Sequence, residues 1–381
     1  MTPASTRRAV LLGLALTATA CDLAQFALDP KPRFEETWNL PGPDTRMSVA
    51  NLLPSGNTVT ILPDSSAFSL RIDSTNISAV LGPNCAACIP LNGTNAIKPA
   101  FTMSPGNSTA LPADIVSAAI LSGRIDIRLV NNLTFDPLYV TIGGASTLQG
   151  KMIIVVRSGT IVLGRDSVQG AATVSGTVAT CPNGSAPCNS PFAAGTTLNR
   201  TINLNTGTVT TNLTVDVTVN SPVGNQLVPI NVTRTFNATA SVPAINVASV
   251  SMNIPSRTFD SGGADSVSMP ATGDFVVGLG LDMTITNPFP TVTGGLSLIF
   301  AWGPGPTQRI TKPVTLPAGT GVRSITLDST ETQTLLNGGD KVSIKLTGNV
   351  TSVSAITVTP RQEVRVANRM RLKIRTPSGE K

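Results

Sequence analysis

The chain contains no histidine, and this absence limits the chemistry that it can perform. Histidine is the commonest general base and metal ligand, and it completes the Ser-His and Cys-His nucleophile pairs. The 21 acidic residues are scattered, and Gly278-Leu279-Gly280 lies inside an alternating strand pattern rather than in a nucleotide-binding turn. We therefore expect no catalytic residues, no cofactor and no metal site, and we predict that the chain is not an enzyme.

Aromatic and charged residues are also scarce, at 4% and 13% of 381 residues. Two Trp and one Tyr offer few surfaces on which nucleic-acid bases could stack. The net charge of +6 is modest for this length. We therefore do not expect nucleic acid among the partners of this protein.

Residues that favour strands and turns fill the sequence instead. Thr, Val and Ile suit pleated strands, and 33 glycines and 29 prolines supply turns. Apolar and polar residues alternate clearly over residues 125–129 and 213–219, as a sheet with one buried face requires. The spacing of the turn signals, about 8–12 residues, is typical of sandwiches. The chain is predicted to be all-β.

The N-terminus has the pattern of a bacterial export signal. Arg7 and Arg8 precede an apolar core over residues 9–16, and Ala18-Thr19-Ala20 leads to Cys21. A cysteine directly after the cleavage site resembles a lipobox, which predicts a signal peptide over 1–20 and a lipid on Cys21. Ordinary signal cleavage, which would leave Cys21 as a plain residue, is the alternative. We expect export to the bacterial envelope with a lipid anchor, at the periplasmic or the outer-membrane surface.

Four further cysteines form two close pairs, Cys85 with Cys88 and Cys181 with Cys188. An even number of cysteines in an exported chain indicates disulfides. A zinc site and a redox Cys-x-x-Cys motif are alternatives for the first pair. The flanking Gly82-Pro83-Asn84 and Pro90 favour a loop, so we predict structural disulfides.

The predicted organisation has five parts. A signal peptide (1–20) and a Pro-rich tether (21–48) precede an N-terminal β segment with the Cys-x-x-Cys loop (49–112) and two repeats (113–250 and 251–381). The repeats rest on two pairs of similar blocks in the same order: residues 126–131 with 282–287, and residues 194–204 with 318–327. Pro112 to Gly123 could form a short helix, with Pro in its first turn and Gly after its last.

Several motifs of the second repeat occur in a recognisable order. A strand over residues 281–286 runs into Asn287-Pro288 and is followed by the Gly294-Gly295-Leu296 strand start and the 316–319 turn. Residues 327–336 come next, where Ser329 could cap a helix that ends before Gly338, and a strand over 338–348 closes the set. Together these motifs resemble the late embryogenesis abundant type 2 domain, also called the water-stress and hypersensitive-response domain.

The resemblance covers about residues 275–355 and, more faintly, 120–240, where Asn131 is followed by Asn132 rather than Pro and the helix signal is missing. It implies an immunoglobulin-like β-sandwich without catalytic residues, and roles in stress protection or membrane-associated binding. It assigns no site residues. The expected architecture is therefore a tandem of immunoglobulin-like β-sandwiches after the signal peptide and the tether.

The last predicted strand carries the clearest charged feature. Apolar residues on one face of this strand alternate in sequence with cations on the other face. We call these cations the strip: Arg365, Arg369, Arg371, Lys373 and Arg375. Arginine makes bidentate contacts with phosphate and carboxylate groups, so the strip could bind anionic lipid or acidic polysaccharide. The alternative interpretation, which we favour at this point, is that the charges protect an exposed sheet edge from pairing.

The leading functional hypothesis is a non-enzymatic lipoprotein that acts as a structural or interaction module at the membrane surface. Its expected partners are the membrane, through the N-terminal lipid, and possible further ones are envelope proteins, anionic lipid or polysaccharide. A lipid carrier with an apolar groove between the repeats and a surface adhesin are the alternatives.

Overall fold

The structure is a computed structural model, and it describes residues 35–42, 44–56, 58–142, 150–170, 172–174, 177–178, 192–210, 212–224, 226–261, 265–268, 276–338 and 341–375. Strands make up most of these residues, so the all-β prediction is confirmed. The immunoglobulin-like part of that prediction stays a prediction. The signal peptide, Cys21, Cys181 and Cys188 lie outside the described residues.

The strands in chain order are β1 (Glu35–Pro41), β2 (Thr45–Ser48), β3 (Val59–Ile61), β4 (Phe68–Val80), β5 (Asn95–Ile97), β6 (Phe101–Met103), β7 (Gly106–Ala110), β8 (Ile115–Asn131), β9 (Val140–Ile142), β10 (Lys151–Ser158), β11 (Ile161–Gln169), β12 (Ala172–Val174), β13 (Thr177–Val178), β14 (Thr197–Asn203), β15 (Gly207–Thr210), β16 (Asn212–Ser221), β17 (Leu227–Pro229), β18 (Thr235–Met252), β19 (Arg257–Asp260), β20 (Asp265–Ser268), β21 (Val276–Asn287), β22 (Val292–Ala301), β23 (Arg309–Thr315), β24 (Gly319–Leu327), β25 (Lys341–Ser352), β26 (Ile356–Val358) and β27 (Glu363–Arg375). The helices are Leu81–Asn84 and Ser329–Gly338, and single 3-10 segments cover Val49–Leu52 and Ala86–Leu91.

Two units with the same strand order contain most of these strands. In the first unit one sheet runs β14-β8-β18-β4-β3, and the other runs β11-β10-β16 with β6 and β7 on the far side of β16. In the second unit one sheet runs β24-β21-β27 with β1 and β2 on the far side of β27, and the other runs β23-β22-β25 with β19 and β20 beyond. This position-by-position match supports the predicted internal repeat.

The core follows the alternation predicted from the sequence. In β16 the side chains of Leu213, Val215, Val217 and Val219 are buried, whereas the intervening residues are partly exposed. The same pattern continues in β8, where Ile125, Ile127 and Leu129 are buried. Each of these strands therefore presents one apolar face to the core and one polar face to solvent.

The predicted helix from Pro112 to Gly123 is wrong. Strand β8 begins at Ile115 and pairs with β15 on one side and β18 on the other. The Pro and Gly that suggested a helix are local signals, and ladder pairing on both edges outweighs them. Asp114, at φ 72°, makes the turn that leads into the strand.

The predicted tether and domain boundaries also differ from the structure. Residues 35–41 and 45–48 form β1 and β2, which pair with β27, so only the part of the tether before residue 35 is left as a tether prediction. Pro41 is tolerated because β1 is an edge strand. The 49–112 segment is not separate either, since β4 pairs with β18 and β7 pairs with β16.

The predicted short helix of the second unit is confirmed as Ser329–Gly338, but its cap differs. The main-chain N–H of Glu331 donates to the carboxylate of Asp328 (2.8 Å), and the main-chain N–H of Asp328 donates to the carboxylate of Glu331 (3.0 Å). This reciprocal pair is a capping box, so Asp328 rather than Ser329 caps the helix.

A buried asparagine holds the equivalent corner of each unit. Asn287 donates its amide protons to the carbonyls of Val292 (3.1 Å) and Pro317 (2.9 Å), and its side-chain oxygen accepts from the N–H of Phe289 (3.0 Å). In the first unit Asn131 donates to the carbonyls of Phe135 (2.9 Å) and Phe192 (2.6 Å), and accepts from the N–H of Leu133 (3.0 Å). The repeated asparagine therefore performs the same task twice, with or without a following proline.

The aligned blocks also meet in the same register. Thr201 of β14 lies opposite Asp126 of β8 and donates to its carboxylate (2.8 Å). Ser324 of β24 lies opposite Asp282 of β21 and donates to its carboxylate (2.6 Å). The sequence blocks that suggested a duplication therefore pair with one another in each unit.

The two units join end to end. Strand β26 pairs with the last residues of β18 and runs back into the first unit. A turn follows, closed by the N–H of Gln362 on the carbonyl of Thr359 (3.2 Å), so β27 runs away from the first unit. Arg375 and its strand partner Glu35 consequently lie at the end of the second unit that is remote from the first.

We predict that Asn287→Ala lowers the free energy of unfolding by about 3 kcal/mol, because two buried carbonyls and one N–H lose their partner. Asn131→Ala should cost a similar amount. Urea denaturation followed by circular dichroism measures both. Asn253→Ala, at an exposed position, is the control and should change stability little. A loss of well under 1 kcal/mol at Asn287 would contradict a structural role for the corner.

Candidate functional site

The strip lies on the outer face of its sheet. Its strand, β27, is an interior strand of that sheet and not an edge strand. Strand β27 pairs with β21 on one side and with β1 and β2 on the other. The apolar residues Val364, Val366, Met370 and Leu372 point into the core, as predicted. The interpretation that the cations protect an exposed edge is therefore wrong, because both edges of β27 are already paired.

Three carboxylates from neighbouring strands and a turn neutralise much of the strip. Asp44 pairs with Arg365 (2.8 Å) and Asp282 pairs with Arg371 (2.9 Å). Glu35 pairs with both Lys373 and Arg375, the latter at 2.7 Å. Hydrogen bonds lower the pKa of Glu35 below its ordinary value, the one from Lys373 more than the one from Arg375. The strip therefore keeps a positive surplus, but a smaller one than five cations suggest.

Arg369 is the member of the strip that forms no ion pair among the described residues, and it borders an open cleft. The cleft has a volume of about 450 Å³. It is lined by Asp282, Thr284, Val322, Ser324, Ala367, Asn368, Arg369 and Arg371. A free guanidinium beside hydroxyl groups can bind a single carboxylate or phosphate group.

Gly278 and Gly280 of β21 lie beside the next cations along the strip, Arg371 and Lys373. A hollow of about 130 Å³ is lined by Thr37, Gly278, Leu279, Gly280, Thr326, Arg371 and Lys373. A Cβ on Gly280 would stand 3.4 Å from the guanidinium of Arg371 and 3.2 Å from the carbonyl of Ile325. The tighter of these two contacts is the one with main chain, so glycine at this position relieves the approach of β24 more than that of Arg371.

The Cys85–Cys88 pair is a disulfide in the structure, as predicted. Both cysteines are buried. Cys85 lies between the helix Leu81–Asn84 and the 3-10 segment Ala86–Leu91, and Cys88 lies within that segment. Among the described residues no cluster of three or more Cys, Asp or Glu could hold a metal ion. Cys181 and Cys188 stay a prediction because they lie outside the described residues.

Sequence reasoning missed a buried lysine beside this disulfide loop. Lys98 is 3% exposed, and its ammonium donates to the main-chain carbonyls of Asp136 (3.4 Å), Pro137 (3.1 Å) and Tyr139 (2.8 Å). Burial lowers the pKa of Lys98 to about 8. The available signal was that Lys98 is the single charged residue between Asp73 and Asp114.

The carboxylate of Asp136 organises the same loop from within. It accepts from the main-chain N–H groups of Leu138 (2.8 Å), Tyr139 (3.2 Å) and Phe192 (2.8 Å). Burial raises the pKa of Asp136, and the three N–H donors oppose that shift. Both charged groups are used to hold main chain, which indicates a structural role.

Comparisons with known proteins leave the chain without a family. No family model and no curated protein matches it. Among solved structures, a Parabacteroides distasonis protein described as secreted is similar at 9% identity and a TM-score of 0.33, over 88% of this chain and 99% of that one. Broad bean stain virus is similar at 10% identity and a TM-score of 0.18, over 85% and 94%.

The N-terminal CBM22-1-CBM22-2 tandem domain of Paenibacillus barcinonensis Xyn10C is similar at 8% identity and a TM-score of 0.17, over 87% of this chain and 98% of that one. Similarities at this level carry no argument about function. Within the described part of the chain, no helix is long and apolar enough to cross a membrane.

We predict that the free energy of unfolding rises as pH increases from about 8 to about 10.5, by at most about 3 kcal/mol from Lys98. The folded pKa of Lys98 is about 8 against an ordinary 10.5, so the unfolded chain binds more protons across this window. Lys98→Met should remove this part of the slope. Urea unfolding at several pH values measures it, with Lys151→Met as the control. An unchanged slope in Lys98→Met would contradict the prediction.

Proposed function

We propose that this protein is a non-enzymatic lipoprotein of the bacterial envelope, held by a lipid on Cys21, whose strip contacts anionic headgroups. The observation that carries the proposal is the pairing of β1 with β27. It places the start of the described chain beside the cations of the strip.

The length of the N-terminal segment fits this arrangement. Thirteen residues separate Cys21 from Glu35, and such a segment spans at most about 45 Å when extended. Glu35 lies opposite Arg375 at the remote end of the second unit. A lipid on Cys21 would therefore keep that end, with Lys373 and Arg375, within reach of the membrane surface.

The charge distribution on this face favours an anionic surface as the partner. Four of the five cations share three carboxylates, and Arg369 has no carboxylate partner among the described residues. Each cation near an anionic membrane contributes about 1 kcal/mol of attraction, which decays within a Debye length of about 8 Å. The strip therefore supplies a second attachment besides the lipid on Cys21, one that would turn this face of the second unit toward an anionic surface.

The absence of histidine supports a non-enzymatic role. The carboxylates that approach the strip are held by arginine and lysine, which leaves them poorly suited to proton transfer. The resemblance to the late embryogenesis abundant type 2 domain also stays part of this proposal, and the Asn287 corner and the Ser329–Gly338 helix support it. No specific observation favours the lipid carrier or the adhesin.

We predict that Arg369→Gln weakens binding to anionic vesicles about fivefold, since about 1 kcal/mol of attraction is lost. The chain from residue 22 onward is mixed with phosphatidylcholine vesicles, with and without phosphatidylglycerol, and the bound fraction is measured by sedimentation. Arg309→Gln is the matched control, because Arg309 is also exposed, without an ion pair among the described residues, and lies in the other sheet of the second unit.

An acidic polysaccharide without lipid forms a separate arm of this experiment. If Arg309→Gln and Arg369→Gln weaken binding to phosphatidylglycerol vesicles equally, the effect is one of general charge. That result would overturn the role of the strip. Binding to the polysaccharide alone would overturn the choice of headgroups as partner.

Anchoring has its own test. We expect the mature protein, purified from bacterial membranes, to start at Cys21 and to carry the added mass of a diacylglycerol and an acyl chain. Mass spectrometry of the N-terminal peptide measures this. An unmodified Cys21 at the start of the mature protein would rule out the lipid anchor without affecting the vesicle result.

A further inference from the structure

The end of the first unit that is remote from the second unit has an exposed apolar surface. We call it the tip and define it as residues 81–98, 132–139, 222–224 and 226–234. Four of its apolar side chains are at least half exposed: Ile89 (56%), Ile97 (52%), Val223 (51%) and Leu227 (70%). Ile97 and Leu227 are direct partners in the β5–β17 ladder, so they stand next to each other.

The tip is almost free of exposed charge. Its charged residues are Lys98, Asp136 and Arg234. Lys98 is buried, and the carboxylate of Asp136 is occupied by three N–H donors. Arg234, directly before β18, is exposed. Depletion of charge together with exposed aliphatic side chains is typical of the centre of a protein–protein interface.

Several contacts make the tip rigid before any partner binds. The Cys85–Cys88 disulfide closes one loop, and the Lys98 ammonium closes another. The N–H of Gly93 donates to the carbonyl of Ile230 (2.8 Å), and the N–H of Ile230 donates to the carbonyl of Thr94 (2.9 Å). A surface held in one conformation loses little entropy on binding.

Strand β5 gives the tip an open edge. Within the described chain β5 pairs only with β17, and the two strands form a sheet of their own. The far side of β17 is blocked, because Pro229 has no N–H and its carbonyl accepts the hydroxyl of Thr134. Strand β5 consists of Asn95, Ala96 and Ile97, with neither a proline nor a charge to prevent pairing.

We propose that β5 pairs in antiparallel fashion with β5 of a second copy of this chain, across a two-fold axis at Ala96. Asn95 then lies opposite Ile97 of the partner subunit, and Ala96 is small enough to let the two strands approach. Such a pairing is self-complementary, as a two-fold interface requires. It also extends two two-stranded ribbons into one four-stranded sheet.

Charge explains why a second copy fits here. A two-fold contact places every residue near its own equivalent, so a charged residue in such a contact faces the same charge on the second copy. The tip largely avoids this repulsion, because Arg234 is its single exposed charge among the described residues. Three residues per strand make a small contact, below about 1,200 Å², which is the size class of weak and transient interfaces.

Sedimentation velocity of the chain from residue 22 onward, over a range of concentrations, tests the proposal. We expect a reversible monomer–dimer equilibrium that Ile97→Lys weakens by at least about tenfold, because it places two like charges on the two-fold contact. Val353→Lys is the matched control, since Val353 is an apolar residue of the second unit that is 85% exposed. It should leave the dissociation constant unchanged.

Added salt separates this surface from the strip. Dimerisation through the nearly uncharged tip should persist in high salt, whereas vesicle binding through the strip should fall. A chain that stays monomeric at every concentration, or a dimer that Ile97→Lys and Val353→Lys affect equally, would overturn the proposal. Neither result would bear on the lipid anchor or on headgroup binding.

Discussion

The second unit depends on the pairing of the first described strand with the last. Strand β27 lies in the middle of its sheet only because β1 and β2, from the opposite end of the chain, cover its outer edge. The same pairing supplies Glu35, whose carboxylate holds Lys373 and Arg375. Removing β1 would expose the edge of β27 and would also leave these two cations without a counter-charge. The pairing of β1 with β27 therefore both completes the sheet and sets the charge balance of the strip. In the first unit β4 occupies the equivalent position.

Both units satisfy the main-chain groups at one sheet corner with the same side chain. Where β8 and β21 end, main-chain carbonyls turn into the interior and need donors. Asn131 and Asn287 provide two donors and one acceptor each, from side chains that are almost fully buried. Because one side chain satisfies three main-chain groups, the residue is difficult to replace. This requirement explains why the asparagine is identical in residues 126–131 and 282–287, whereas most of the surrounding residues differ.

Local patterns predicted what depends on local geometry. The alternation in β8, β16 and β27, the helix near residue 330 and the Cys85–Cys88 disulfide all agree with the structure. The errors arose where distant pairing decides the outcome: the supposed helix at Pro112 pairs with β15 and β18, and part of the supposed tether pairs with β27. The strip itself was visible in the sequence, but its carboxylate partners were not, because Glu35 and Asp44 are more than 300 residues away. Lys98 escaped notice for the same reason, since its carbonyl acceptors belong to a loop about 40 residues later.

The two proposed surfaces differ in physical character and lie at opposite ends of the molecule. The strip is cationic and lies beside the segment that leads to Cys21, whereas the tip is nearly uncharged and is separated from it by the end-to-end junction of β18 and β26. An anionic surface would attract the strip and would offer nothing to the tip. A second copy would be repelled by the strip and accepted by the tip. Because each partner is excluded from the other surface by charge alone, both could be bound at once without competition.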